Sequence, residues 1–527
     1  MTFQYSALSV SLKGNPFTYN FSKAPQVYPL KRRKRTKAES VISHPMIDIC
    51  DMAKVLLDSS ELSKKLLNVS VSDVGAWSGA LQDFWTKWRS IEPNNWVYTQ
   101  FQDHELMQCI PCLLHGDEGV GHRRRPVFHL SWGSLLRLGF DSLDRLFIVT
   151  SCPHKMYSKF NKGSTAGNVV LDKLLEETGR SALHASCGIE TKSGYKFYLI
   201  FLGLAGDHPF QVKAYRSGRG HLKAQVCPHC HADTRSVLPF EDMSTGALWR
   251  LTVFQTVPWS PDVPVPLHLM PGACHPSFIR WDLMHMVPHG CARNFVASVI
   301  CMMAGPMDIF VPGGVDGRMR RNRDLRLDVA HSHFQSWLDA TGQHVRDMKE
   351  FTVENLGWSQ NRSFPDMSCK AADTTLMIQW LIDFLTTVPF ERCYVLEVTL
   401  DGLQGIDEFQ RQSYTGDRVF WDRLKQREGV YNLGRFLASY VKLGAYWHNR
   451  RWTLFHFTAH WHEALRQSVS AGNAWALSPG AFATPLMEDF IGRMSRIART
   501  AHPSSVARTV INKYLVEVKR VWRQRQL

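Results

Sequence analysis

Two segments place an acid at the end of an apolar run. In CIPCLLHGDEGVGHRRRPVFHLSW (109–132), Asp117 and Glu118 close the first run, and a glycine-spaced turn with Arg123, Arg124 and Arg125 leads into a second. YKFYLIFLGLAGDHPF (195–210) ends in the same way, at Gly206-Asp207. Two-metal phosphoryl transfer needs acidic ligands that hold two cations about 3.5–4 Å apart. Mg²⁺ or Mn²⁺ prefers hard oxygen donors and keeps several waters, so two or three carboxylates suffice. A third acid is available in PLMEDFIGRMSR, where Glu488 sits near a helix start after Pro485. Arg493 and Arg496 follow one to two turns on, placed to meet phosphates. Glu118 and Asp489 are one-residue alternatives at two of these positions. Any single acid here is by itself an ordinary solvated group; only the set has chemical meaning.

A second constellation suits a softer metal. Cys227 and Cys230 in QVCPHCHAD form a CxxC about twenty residues after Asp207, a spacing that fits tetrahedral Zn²⁺ with two further ligands. His456 and His460 in FHFTAHWH share a helix face at i, i+4, and His229, His231 and Cys274-His275 compete with them. Packed histidines of an aromatic stripe are the plain alternative. In RWDLMHMVPHG, Asp282 and His285 lie at i, i+3 and suit a carboxylate–imidazole pair that supports a site, caps a helix or touches the strand being cut.

These residues need elements to position them. Residues 1–45 carry spaced prolines and the basic run KRRKRTK (31–37), which reads as a basic, poorly ordered segment, either a solvated linker or a nuclear-import or nucleic-acid contact. Residues 46–100 show helical spacing. In 101–215 three strand patterns are followed by an amphipathic helix (GNVVLDKLLEETGRSAL) and a long fourth strand. Three antiparallel strands, a crossover helix and a fourth strand begin a ribonuclease-H-like fold. A right-handed crossover sets strand four beside strand one, bringing Asp117 and Asp207 together. Residues 216–450 are too long for a loop and read as a mostly helical insertion carrying the CxxC and the Asp–His helix. Residues 451–527 return to helix and complete the catalytic domain. The expected class is α/β, a ribonuclease-H-like mixed sheet flanked by helices and interrupted by that insertion.

The whole chain is compatible with this. Its 527 residues are 44% hydrophobic and 21% charged, and 62 Lys plus Arg against 47 acids give +15, which favours polyanionic partners rather than any fold. Twelve scattered cysteines, with no charged-then-apolar leader at the start, suggest a soluble intracellular protein in a reducing compartment. The longest uncharged run, NFVASVICMMAGPM (294–307), is shorter than the ~20 residues a spanning helix needs, so no membrane is expected.

With the motifs in order, HGDEG, LAGDHPF, DLMH and MEDFIG, the chain resembles eukaryotic cut-and-paste DDE transposases, particularly the groups containing CACTA, hAT and Kyakuja-Dileera-Zisupton elements. GDHPFQVKAYRSGRGHLKAQVCPHC is similar to the CACTA type, and RWDLMHMVPHGCARNFVAS to multicopy proteins of dinoflagellate genomes. The resemblance spans about residues 100 to 515 and rests on motif order. It implies Asp117, Asp207 and Glu488 as Mg²⁺ or Mn²⁺ ligands, hydrolysis at an element end, and attack of the freed 3′ hydroxyl on target DNA. It implies a structural Zn²⁺ on the CxxC with a downstream histidine pair, and a homo-oligomer acting on DNA ends and target in the nucleus. Phosphate-facing charge is expected from Arg123–Arg125, from RMRRNR (318–323, with Arg320 and Arg321), from Arg493 and Arg496, and from KRVWRQR (519–525). An N-terminal zinc finger of the kind many such enzymes use is not recognisable. The alternative is a transposase-derived DNA-binding protein that no longer cuts; a plain ribonuclease-H-like nuclease would use the same carboxylates.

Overall fold

The computed structural model describes residues 18–20, 43–136, 141–158, 167–221, 223–235, 237–244, 246–313, 317, 322–359, 364–388, 393–446, 453–502 and 505–524. The basic run 31–37 and the pair Arg320 and Arg321 lie outside them. The fold is mixed α/β, and the chain divides into two compact units. One comprises Met1–His231, Thr252–Arg280 and Thr484–Leu527; the other comprises Ala232–Leu251 and Trp281–Ala483.

The first unit carries a short antiparallel pair, Thr18–Asn20 with Ser43–Pro45, then α1 (Ile49–Leu57) and α2 (Val74–Ile91), followed by a five-stranded mixed sheet. Its strands are β1 (Cys109–Val120), β2 (Pro126–Ser134), β3 (Phe147–Pro153), β4 (Ile189–Glu190) and β5 (Lys196–Ala205), in the order β3-β2-β1-β5-β4. The β1–β2–β3 meander is antiparallel, and β1 and β5 pair in parallel, the neighbour relation expected of the crossover. The two-residue strand β4, antiparallel to β5, is too short to leave a pattern in the sequence. Eight successive buried residues open β1, and nine close β5, the near-continuous apolar run of strands covered on both faces. The crossover helix α3 (Val169–Cys187) starts at Asn168, whose side chain accepts from the Val170 and Leu171 N–H groups. It buries Leu171, Leu174, Leu175, Thr178, Ala182 and Ala185 along one stripe. Trp132 meets Phe147 at 4.9 Å and Phe201 at 6.2 Å, tying β2, β3 and β5 into one core. The short helix α4 (His208–Ala214) follows β5 directly.

The second unit is mostly helical: α5 (Ala292–Ala304), α6 (Arg323–Thr341), α7 (Ala371–Thr387), α8 (Tyr394–Tyr414), α9 (Arg423–Tyr446) and α10 (Thr453–Ser470). The longest apolar run of the sequence forms α5, where every residue except Arg293 is buried. Phe295 of α5 packs against Phe436 and Tyr440 of α9, and Tyr440 stacks on Phe455 of α10 at 4.5 Å. None of the described helices is long and apolar enough to cross a membrane.

Two C-terminal helices, α11 (Pro485–Arg499) and α12 (Val506–Gln524), return to the first unit. Proline at the first position suits the start of α11. The helix packs on β1 so closely that a Cβ on Gly119 would lie 2.0 Å from Ser495 Oγ. Tyr514 of α12 donates to the Leu146 carbonyl at the head of β3.

Candidate functional site

The carboxylates are brought together by strand register. The β1–β5 pairing ends at His115 opposite Ala205. There β5 stops, whereas β1 runs on against β2 to Val120, so Asp117 lies inside its strand rather than at its end, with Gly116-Asp117 beside Gly206-Asp207. Gly206 has φ +139°. Asp207 has extended backbone and caps α4, its Oδ1 accepting from Phe210 N–H at 2.7 Å. That bond fixes one carboxylate oxygen before any ligand arrives. Asp117 accepts from the Glu118 N–H through Oδ1 at 2.6 Å.

Glu488 enters from the first turn of α11. Its carboxyl shares a hydrogen bond with Asp117, and the charge of Asp207 also reaches Asp117. Burial, then the Glu488 and Asp207 charges, push Asp117 up to about 8. All three acids are half-buried. A cleft of about 210 Å³ is lined by Asp117, Asp207 and Glu118, with Tyr157 and Lys213 on its wall.

The structure separates the adjacent acids that the sequence leaves open. Glu118 turns to Tyr157, whose hydroxyl donates to Oε1 at 2.8 Å, and to Lys213 at 3.4 Å. Asp489 accepts from Ser142 Oγ at 2.6 Å and from Arg493 Nε at 2.9 Å. Asp117 and Glu488 are therefore the members of each pair that meet. Neither Tyr157 nor Lys213 was singled out by sequence. Lys213 carries a weak signal, six residues after Asp207 on the helix it caps; Tyr157 carries none.

The basic residues differ among themselves. Arg123, Arg124 and Arg125 are exposed at the β1–β2 turn, with Arg123 and Arg124 in left-handed backbone at φ 52° and 58°. That turn is tied to the end of α11 through His122 Nδ1 on the Arg499 carbonyl and Arg499 Nε on the Val120 carbonyl. Arg496 is exposed. Arg493 is engaged by Asp489 and, at 3.2 Å, by Asp141, so its charge is already balanced. Of the terminal basic stretch, Lys519, Arg520 and Arg523 fall on α12, while Arg525 lies outside the described residues.

Asp282 and His285 form the carboxylate–imidazole pair. Asp282 is buried and caps the turn Leu283–Met286, with Oδ1 on Met284 N–H and Oδ2 on His285 Nδ1. The ring of His289 stacks on that of His285 at 5.9 Å.

Cys227 and Cys230 are buried, and the His229 N–H donates to Cys227 Sγ at 3.4 Å. Burial, then the Cys230 thiol, push the Cys227 thiol well above its ordinary range. The competing histidines are engaged elsewhere: His229 Nε2 on the Ile279 carbonyl, His231 on Thr256 Oγ1, and His275 on Ser277 Oγ. On α10, His456 and His460 bring their Nε2 atoms to 3.2 Å, close to the ~3.3 Å between two nitrogens on one tetrahedral zinc with 2.0–2.1 Å bonds. His456 Nδ1 donates to the Phe240 carbonyl at 3.0 Å, which leaves Nε2 as the lone-pair atom. Ligand atoms of Cys227, Cys230, His456 and His460 all lie within 4.8 Å of one another, a buried cluster that could hold a metal such as zinc.

No protein-family model matches the chain, and no curated protein matches it either.

Proposed function

We propose that the protein is a ribonuclease-H-like, DDE-type polynucleotidyl transferase of the transposase kind. The observation that carries this reading is the convergence of Asp207, from the end of the strand parallel to β1, and Glu488, from a later helix, on Asp117 where the β1–β5 pairing stops. Three half-buried carboxylates are a donor set suited to Mg²⁺ or Mn²⁺. Bound there, divalent cations would activate water or a 3′ hydroxyl and stabilise the leaving oxygen. The chain's own part is placement: the α4 cap holds Asp207, the β1–β5 register sets Asp117 beside it, and α11 delivers Glu488.

The proposed reaction is hydrolysis of a DNA phosphodiester at an element end, then attack of the freed 3′ hydroxyl on target DNA. DNA ends and target are the proposed partners, with a homo-oligomer assembled on DNA in the nucleus; the net charge of +15 supports a polyanionic partner. Zn²⁺ on Cys227, Cys230, His456 and His460 is assigned a structural role, because a four-ligand set leaves no open position for substrate.

The test is Mg²⁺- or Mn²⁺-dependent cutting of labelled DNA by the wild type beside Asp207→Asn, a change that keeps a capping side chain. Loss of cutting by about 10²-fold or more, at equal zinc content, supports the carboxylate site. A folded, zinc-loaded wild type that binds DNA without cutting it points instead to a transposase-derived binding protein.

A further inference from the structure

The cleft holds one feature that metal binding leaves unused. Among the residues that line it, Asp117, Glu118 and Asp207 are acids, Phe128, Leu171, Pro209 and Phe210 are apolar, and Lys213 alone is a cation. Lys213 Nζ rests 3.4 Å from Glu118 Oε1, the same oxygen that takes the Tyr157 hydroxyl at 2.8 Å. Burial, then Glu118, hold the Tyr157 phenol well above its ordinary range, so it remains a donor to Glu118.

The two contacts are unequal. The side chains of Lys213 and Glu118 are 45% and 33% exposed, and an ion pair of that exposure is worth little. The Lys213 ammonium sits on a flexible four-carbon stem and can leave Glu118 while Tyr157 keeps the carboxylate in place. Two other cations of this unit lack that freedom: Arg216 is held by Asp172 at 2.6 Å, and Arg493 by Asp489 and Asp141. A phosphodiester entering the cleft would offer Lys213 a charge-assisted bond stronger than the one it leaves.

We propose that Lys213 is the substrate-phosphate contact of this cleft, kept beside the carboxylates by Glu118 and Tyr157 until DNA arrives; the inference rests on the DNA-cleaving reading of the same site. Lys213 moves from Glu118 to a phosphate oxygen, no covalent bond changes, and Glu118 remains bonded to Tyr157.

The experiment is anisotropy of a fluorescein-labelled DNA duplex with the full chain in Ca²⁺, over a range of salt, together with Mn²⁺-dependent cutting. Lys213→Ala is expected to raise Kd about tenfold and to reduce the salt slope by about one. Lys213→Arg should recover most of the affinity. Glu118→Gln, which releases the lysine, should lower Kd by a few-fold. The Mn²⁺-induced rise in Tm should be the same in Lys213→Ala as in wild type, since the lysine holds no metal. Unchanged Kd and slope in Lys213→Ala, or equal weakening by Lys213→Ala and Glu118→Gln, would overturn the proposal and leave an ion pair that merely supports the fold. A wild type that cuts in an Asp207-dependent way yet ignores Lys213 sinks the lysine alone. Absence of Asp207-dependent cutting sinks both readings.

Discussion

A Cβ on Gly206 would lie 2.5 Å from the carbonyl oxygen of Gly116. The residues just before Asp207 and Asp117 are thus in backbone contact, and that contact sets the spacing of the two carboxylates. Gly206 also has φ +139°, a conformation that L side chains rarely adopt.

Gly206→Ala should therefore destabilise the protein by about 2 kcal/mol or more, read as a lower urea midpoint. The same variant should lose its thermal response to Mn²⁺, because relief of the overlap must push β1 and β5 apart at the acids. Gly194→Ala, also at positive φ but with open space around the added carbon, should keep that response.

Crowding of the acids gives a pH signature. Asp117 is held at about 8 against an ordinary 3.8. A folded value above the unfolded one means that its stabilising contribution is full below about pH 3.8 and is lost as pH rises towards 8. Metal-free Asp117→Asn should therefore gain Tm over wild type, by more at pH 8 than at pH 5. Mg²⁺ or Mn²⁺ should raise the wild-type Tm with the same pH trend and leave the variant unmoved.

Buried histidines act in the opposite sense at acid pH. His44, on Thr150 Oγ1, is pushed down to about 4 by burial, and His129, on Ser151 Oγ, to about 3. Both stay neutral in the fold but charge near 6.5 when unfolded. Their contribution is therefore full above pH 6.5 and is lost as pH falls towards 4 and then 3. The urea midpoint should decline below pH 6.5, and His129→Gln should flatten that decline even if it lowers the midpoint at pH 7.

The buried cysteine–histidine cluster predicts one zinc per chain in metal analysis of purified protein. Cys227→Ser or His460→Ala should remove it and lower Tm, and a strong chelator should do the same to the wild type. Zinc retained at full occupancy in both variants would sink the four-ligand assignment.

The sequence by itself determined the order of the first unit's elements. Apolar runs long enough to be covered on both faces marked β1 and β5, and the stripe from Leu171 to Ala185 marked α3. The handedness of crossovers then placed β5 beside β1, with Asp117 and Asp207 near the point where that pairing stops. These features are local or follow from chain chirality, so the sequence carries them directly. Tertiary structure alone decided what depends on side-chain direction across long separations. Asp117 rather than Glu118 meets Glu488, because Tyr157 and Lys213 take Glu118. Glu488 rather than Asp489 turns to Asp117, because Ser142 and Arg493 take Asp489. His456 and His460 bring their Nε2 atoms together beside the cysteines, while His229 and His231 are spent on the Ile279 carbonyl and Thr256. In each case two residues of like chemistry compete, and the choice is made by a hydrogen-bond partner that no spacing in the sequence announces.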